Sequence, residues 1–275
     1  MNLFSFKSPI VSASRGITLN PNPREFDMHA HDRMELYMLI QGKVIFGIEG
    51  TEQPLQPYDI VITREAETHK LIVDPSEPYE RLWVQFSKEF LDEVDPSHSL
   101  LEIFYNRPLG KENLYRAPTN DLFRYQCACK ICQDSNKISG ELHILSYLLP
   151  LLRDLTAARN ANIPSNNEEP DDIALQLVAF INDRLFAPIS LDDLSKKFFL
   201  SKSQLNRIFL KATGSTIARY ISIKRMLTAR QMIRDGIAIH EVCHRCGYND
   251  YSTFFRAYKN HFGIAPTDDK KQLII

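Results

Sequence analysis

Seven side chains in the first third of the chain could together do chemistry: His29, His31, Glu35, Tyr37, His69, Arg81 and Trp83. Imidazole, carboxylate, phenol and guanidinium groups supply hydrogen-bond donors and acceptors, and the indole adds one large aromatic face. That mix suits a small-molecule effector such as a sugar, whose hydroxyls need polar partners and whose apolar face stacks on a ring. Trp83 fits ordinary core equally well. A second group is the cysteines. Cys127, Cys129 and Cys132 are spaced Cys-x-Cys-x-x-Cys, far from Cys243 and Cys246, and this is not a strong zinc pattern. Small apolar packing is the expected role of Cys243. No nucleophile stands beside a base in a recognisable arrangement, so no enzyme and no bound cofactor are expected.

Elements must bring the seven together. Segments 35–40, 43–48, 60–63 and 81–86 are short, rich in Ile, Val, Tyr, Phe and Trp, and separated by turns such as Gln41-Gly42, Glu49-Gly50 and Asp74-Pro75. Strands at this spacing predict a barrel or sandwich. The run His29-x-His31-x3-Glu35-x6-Gly42, with His69 downstream after Pro57-Tyr58-Asp59, resembles the two motifs of the cupin barrels. In cupin enzymes three such histidines and one glutamate bind a divalent metal of the Fe, Mn or Zn kind. The resemblance therefore implies an alternative: a metal-binding cupin enzyme or metal sensor using His29, His31, Glu35 and His69.

Beyond residue 120 the period changes to that of a helix, as in Leu142, Leu145, Leu148, Leu149 and Leu152. Residues 159–170 are polar, contain proline and read as a linker. After them the chain is helical and repeats itself. Leu191, Leu194 and Ser195 match Ile239, Val242 and Cys243 at a shift of 48. Ser201, Leu205, Arg207, Phe209 and Gly214 match Asp250, Phe254, Arg256, Tyr258 and Gly263 at a shift of 49. Each copy is a short helix, a turn and a longer helix, with one extra residue in the second turn. Ser201 and Asp250 are N-cap residues, and the glycines suit a left-handed C-terminal stop. This is a helix-turn-helix, twice. Residues 217–235 read as one amphipathic connecting helix with Arg219, Lys224, Arg225, Arg230 and Arg234 on a basic outer face.

Charge sharpens that reading. The whole chain has 33 basic and 34 acidic residues, net −1. Residues 1–172 hold 17 basic and 26 acidic residues, whereas 173–275 hold 16 and 8. An acidic half joined to a basic one points to a single anionic partner for the second half. Two helix-turn-helix units on one chain can reach successive major-groove faces about 34 Å apart. The apolar run near 145–152 is too short to span a membrane, and Pro150 interrupts it. The N-terminus has no basic region ahead of a long apolar run, and five cysteines are an odd number, so a reducing cytoplasm is expected.

Residues 173–268 are similar to the AraC/XylS family of bacterial transcription regulators. The resemblance rests on Leu191-Asp-Asp-Leu194-Ser195, Ser201…Leu205-Asn-Arg207-Ile-Phe209…Gly214, Tyr220…Arg225…Ala229, and Val242-Cys243…Gly247-Tyr248…Ser252-Thr-Phe254-Phe-Arg256-Ala-Tyr258-Lys259…Gly263-Ile-Ala-Pro266. Departures are Ser195 and Cys243 for the usual alanines, Leu210 for a basic residue, and Thr267-Asp268-Asp269-Lys270 for an aromatic–Arg pair. The resemblance implies a two-domain α+β chain. Residues 1–158 would be a cupin-like β-barrel with trailing helices for effector sensing and dimerisation, 159–171 a linker, and 172–275 an all-α domain of two helix-turn-helix units joined by a long helix. It implies DNA contacts from Ser203, Gln204, Asn206, Arg207 and Lys211 in the first copy. In the second they would be Tyr251, Ser252, Phe255, Arg256 and Lys259. Arginine suits guanine, and Asn or Gln suits adenine. It further implies a homodimer that answers an effector, binds double-stranded promoter DNA and recruits RNA polymerase, as an activator of a metabolic, carbohydrate-related operon.

Overall fold

A computed structural model of the chain describes residues 1–22, 26–118, 122–133, 140–161 and 172–273. Contacts divide it into two compact units. The first is Met1–Asp27, Arg33–Arg64 and Lys70–Glu168; the second is Glu169–Ile275 together with the short segments Met28–Asp32 and Glu65–His69. Two short pieces of the strand region thus group with the helical unit.

The first unit is built on nine strands: β1 (Asn2–Lys7), β2 (Val11–Thr18), β3 (Met34–Gln41), β4 (Val44–Ile48), β5 (Thr51–Pro54), β6 (Ile60–Thr63), β7 (His69–Val73), β8 (Tyr79–Phe86) and β9 (Leu114–Tyr115). They form a six-stranded sheet, β1-β2-β8-β3-β6-β9, and a three-stranded sheet, β5-β4-β7. Strand β3 is buried along Met34–Ile40 because both of its faces are covered. Its even positions, Met34, Leu36, Met38 and Ile40, join a core with helical residues Ile131, Ile144, Leu148, Leu151 and Leu155. Its odd positions Tyr37 and Leu39 join Phe46, Ile48, Val61 and Tyr79 between the sheets. The period of two along a strand makes this division.

Helices α1 (Lys88–Val94), α2 (Glu102–Tyr105), α3 (Phe123–Ile131) and α4 (Gly140–Ala161) complete the unit. Pro150 lies inside α4 and does not end it. Helix α4 runs through Ala161, so residues 159–161 are helix and not linker; residues 162–171 lie outside the described residues. Of the expected stripe, Leu148 and Leu152 are buried, Leu145 and Leu149 partly so, and Leu142 is 59% exposed. Leu142 leaves the core because Ile144, Leu148, Leu151, Leu152 and Leu155 already fill it.

The second unit carries α5 (Ile173–Asp183), α6 (Leu191–Phe198), α7 (Lys202–Thr213), α8 (Ile217–Arg234), α9 (Ile239–Arg245), α10 (Tyr251–Phe262) and α11 (Pro266–Leu273). It has two main apolar cores, and α8 serves both. Ile217 and Tyr220 pack with Leu177, Leu194, Leu205 and Phe209; Met226, Ala229 and Ile233 pack with Val242, Cys243, Phe254 and Tyr258. The expected basic outer face of α8 does not form. Lys224 is 3% exposed with its ammonium over the Tyr220 ring. Arg225 donates to the carbonyls of Leu185, Ala187 and Gly247. Arg230 and Arg234 pair with carboxylates, and of the five only Arg219 is exposed. A helix packed on two cores has little outer face, so its cations turn to internal acceptors.

Candidate functional site

Strand register sets the first site. Glu35 stands opposite Gln85 on β8 and Thr63 on β6; Tyr37 stands opposite Trp83 and Val61; Leu39 stands opposite Arg81. Paired residues share a face, so Glu35, Tyr37, Arg81 and Trp83 all line the space between the sheets. Gln85 donates its amide N–H to Glu35 Oε2 at 2.8 Å. The hydroxyls of Tyr37 and Tyr79 lie 2.9 Å apart. Burial holds the Tyr37 phenol well above its ordinary pKa and pushes Tyr79 up to about 12, so both stay protonated near neutrality. Arg81 stacks on the Tyr79 ring at 4.9 Å and donates to Thr18 Oγ1 at 2.9 Å. Thr63, 1% exposed, has no hydrogen-bond partner for its hydroxyl. A buried hydroxyl in that state is ready to meet a ligand or water. Sequence reasoning missed Gln85, Tyr79 and Thr63, although the alternation Tyr79, Arg81, Trp83, Gln85 along one strand marks the first two.

Histidines gather at one end. His29 and His69 exchange both backbone hydrogen bonds at 2.9 Å, and their rings lie 4.3 Å apart. The His31 ring is 5.1 Å from that of His69. Glu35 belongs to the first unit, and His31 and His69 to the second. His69 Nδ1 is 3.0 Å from the Glu67 carbonyl oxygen. A carbonyl only accepts, so Nδ1 carries the hydrogen and Nε2 the lone pair.

The second site is the pair α7 and α10, and the structure repeats it at the level of atoms. Ser195 Oγ donates to the Leu200 carbonyl; Cys243 Sγ donates to the Tyr248 carbonyl at 3.8 Å, the same bond 48 residues on. Asn249 is the extra residue. Ser201 caps α7 through Gln204 N–H, Asp250 caps α10 through Thr253 N–H, and Gly214 and Gly263 close both helices at φ +79° and +76°. Leu205, Phe209, Phe254 and Tyr258 are fully buried. Arg207 and Arg256 follow Leu205 and Phe254 by two residues, about 200° around the helix, and so point away from the core.

Ser203, Arg207, Lys211, Tyr251, Ser252, Arg256 and Lys259 are all exposed, and Phe255 is half-buried against Tyr251. Two expected contacts have other work. Gln204 Oε1 accepts the Ser201 N–H at 3.0 Å in a capping box, and Asn206 Oδ1 accepts the Ile217 N–H at the start of α8. Sequence reasoning also missed Asp269. It is 1% exposed, takes the Tyr258 hydroxyl at 2.6 Å and pairs with Arg230 at 2.8 Å. Burial, then this bond, raises the Tyr258 pKa. The departure at 267–270 is therefore an anchor for α11.

Comparison with known proteins agrees with both halves. A family described as AraC-like ligand binding domain matches residues 12–117, and one described as Helix-turn-helix domain matches residues 194–272. The Msm operon regulatory protein of Streptococcus mutans is 22% identical over 260 residues, covering 94% of this chain and 89% of that one. The HTH-type transcriptional activator RhaS of Klebsiella pneumoniae is 28% identical over 136 residues, 49% of this chain and 47% of its own. The HTH-type transcriptional regulator GbdR of Pseudomonas aeruginosa is 33% identical over 97 residues, 35% of this chain and 26% of its own. The chain thus spans about half or less of the length of these last two relatives. Among solved structures, ToxT from Vibrio cholerae matches 95% of this chain and 98% of its own at 11% identity, with a TM-score of 0.41.

Proposed function

The chain belongs to the AraC/XylS family of DNA-binding transcriptional regulators, and from there we propose that it reads promoter DNA with α7 and α10 under the control of a small molecule held between the sheets. The repeated cap, turn bond and outward arginine of the two helices carry this reading. Ser203, Arg207 and Lys211, with Tyr251, Ser252, Phe255, Arg256 and Lys259, meet the duplex; Arg207 and Arg256 read bases and the lysines meet phosphates. Gln204 and Asn206, whose amide oxygens also accept backbone N–H groups at the starts of α7 and α8, complete the first helix's contacts.

Glu35, Tyr37, Arg81 and Trp83, joined by Gln85, Thr63 and Tyr79, supply donors, acceptors and an aromatic face suited to a sugar. His29, His31 and His69 complete the proposed effector-binding set. Region 1–158 serves sensing and dimerisation, region 172–275 binds DNA, and the linker is what remains of 159–171 beyond α4. Leu142, Leu145 and Leu149, spaced along one side of α4, form the seam of a homodimer. The chain is a cytoplasmic activator and not an enzyme; it recruits RNA polymerase to a metabolic operon. The names of two relatives, an operon regulator and a transcriptional activator, support that role. Among the described residues no helix is long and apolar enough to cross a membrane.

The effector acts by preferring one arrangement of the helices, since a ligand of equal affinity for both shifts nothing. Footprinting on the promoter beside the protein's own gene, with and without a panel of sugars, tests the reading. Protection of two adjacent major-groove faces that strengthens with one sugar is expected. Protection unaffected by any sugar and strengthened by another metabolite would overturn the sugar assignment; no protection would overturn the whole.

A further inference from the structure

We propose that α10 reads thymine through its 5-methyl group, which the rings of Tyr251 and Phe255 cover, so that the two helices of the repeat recognise chemically unlike half-sites. The proposal rests on the reading of α7 and α10 as DNA-binding helices and adds which base the second one takes. Tyr251 and Phe255 stand four residues apart on one side of α10, with ring centroids 6.1 Å apart. The apolar core beneath takes Phe254 and Tyr258, with Ala257 and Phe262 packed at its edge; Tyr251 and Phe255 are not among its members. Tyr251 is 44% exposed and Phe255 is half-buried. Phe255 lies about 100° around the helix from Phe254, and Arg256 about 200°, so the rings border the face that carries Arg256. Tyr251 is also the first helical residue after the Asp250 cap. Base contacts of a recognition helix come from its N-terminal residues.

Chemistry selects the base. A phenyl ring has no donor or acceptor, so Phe255 can bond neither a base edge nor a phosphate. In the major groove the one apolar group on any base is the thymine methyl. The first helix is built differently. At the repeat's shift of 49, Tyr251 falls on Lys202 and Phe255 on Asn206. Lys202 pairs with Asp192 at 2.8 Å. Asn206 donates to the Lys202 carbonyl at 3.3 Å, and its Oδ1 accepts the Ile217 N–H. The same two places thus hold a cation and an amide in α7 and two rings in α10, whereas Arg207 and Arg256 correspond. The arginines set a guanine in each half-site, and the rings add thymine to the second alone.

The test uses the full chain and a duplex that it selects from a random pool. Selection should return two unlike half-sites, both with guanine and one with thymine beside it. Deoxyuridine in place of each thymine in turn then removes the methyl and leaves base pairing unchanged. Fluorescence anisotropy should show a loss of about fourfold at one or two thymines, the worth of one buried methyl group. In Tyr251→Ala or Phe255→Ala that loss should vanish at the thymine the missing ring covered, the sign of a direct pair in a double-mutant cycle. Phe255→Leu, which stays apolar, should keep the sensitivity and serves if the alanine variant fails to fold. Deoxyuridine without effect at every thymine, or a loss that persists in both alanine variants, would overturn the proposal. Alanine variants that weaken every duplex equally would do the same, since the rings would then meet sugar and phosphate. Selection that returns no consensus would instead count against α7 and α10 as base-reading helices, and the thymine assignment would fall with them.

Discussion

At the scale of single residues, the two arginines at equivalent places in the repeat carry the most information. Arg256 is exposed, and its one hydrogen bond, to Thr253 Oγ1, is long at 3.5 Å, so its guanidinium can meet a base edge. Arg256→Ala should cost about 1–3 kcal/mol of specific affinity and relax preference at one base position. Gel-shift titration against single-base variants measures this; an equal loss on every sequence would make Arg256 a phosphate contact. The arginines were legible because the repeat aligns them and the buried Leu205 and Phe254 fix their direction. Sequence could not show that the amide oxygens of Gln204 and Asn206 also accept the N–H groups of Ser201 and Ile217. Asp269 was illegible for a similar reason: its partners Tyr258 and Arg230 lie 11 and 39 residues away.

Elements were more readable than residues where local chemistry set their ends. Serine and aspartate caps and left-handed glycines bound α7 and α10 as the sequence implied. Strands β1 and β2 were not individually apparent, because Val11–Thr18 mixes small and polar residues and draws its order from pairing with β8. The turn inside each helix pair is instructive. Phe199 at φ +55° and Gly247 at φ +75° occupy equivalent left-handed positions 48 residues apart. Phenylalanine tolerates the first, 93% exposed. The second admits only glycine, because an added Cβ would lie 2.7 Å from the Phe186 carbonyl oxygen and 3.0 Å from the Arg225 guanidinium carbon. Arg225 spans the carbonyls of Leu185, Ala187 and Gly247, so it ties the second turn to the chain ahead of α6. Gly247→Ala should therefore destabilise the chain by at least about 1–2 kcal/mol, the left-handed penalty alone, and weaken DNA binding beyond that. Chemical denaturation followed by circular dichroism checks the first part. A loss of DNA binding without destabilisation would mean Gly247 meets DNA itself.

For the whole molecule, the net charge of −1 conceals two opposite halves, and the basic one coincides with the helical unit. Order along the chain was legible: strands, then helices, then a repeated helix pair. The grouping of residues 28–32 and 65–69 with the helices was not, because it depends on Met28 and Asp32 meeting side chains some 200 positions away. Nor was the fate of the cations on α8, which composition counted toward a DNA surface and packing turned inward. Fewer exposed cations remain on α8 than the sequence suggested, and the proposed reading gives most of the phosphate contact to those on α7 and α10. Fluorescence anisotropy of the full chain on its promoter duplex, titrated across salt concentrations beside a scrambled duplex, tests this most directly. The account predicts tighter binding to the promoter and a log–log salt slope steeper than about −4, the mark of five or so phosphates at about −0.9 each. Arg207→Ala with Arg256→Ala should erase the preference for the promoter. Equal affinity for both duplexes, or a flat salt response, would contradict it.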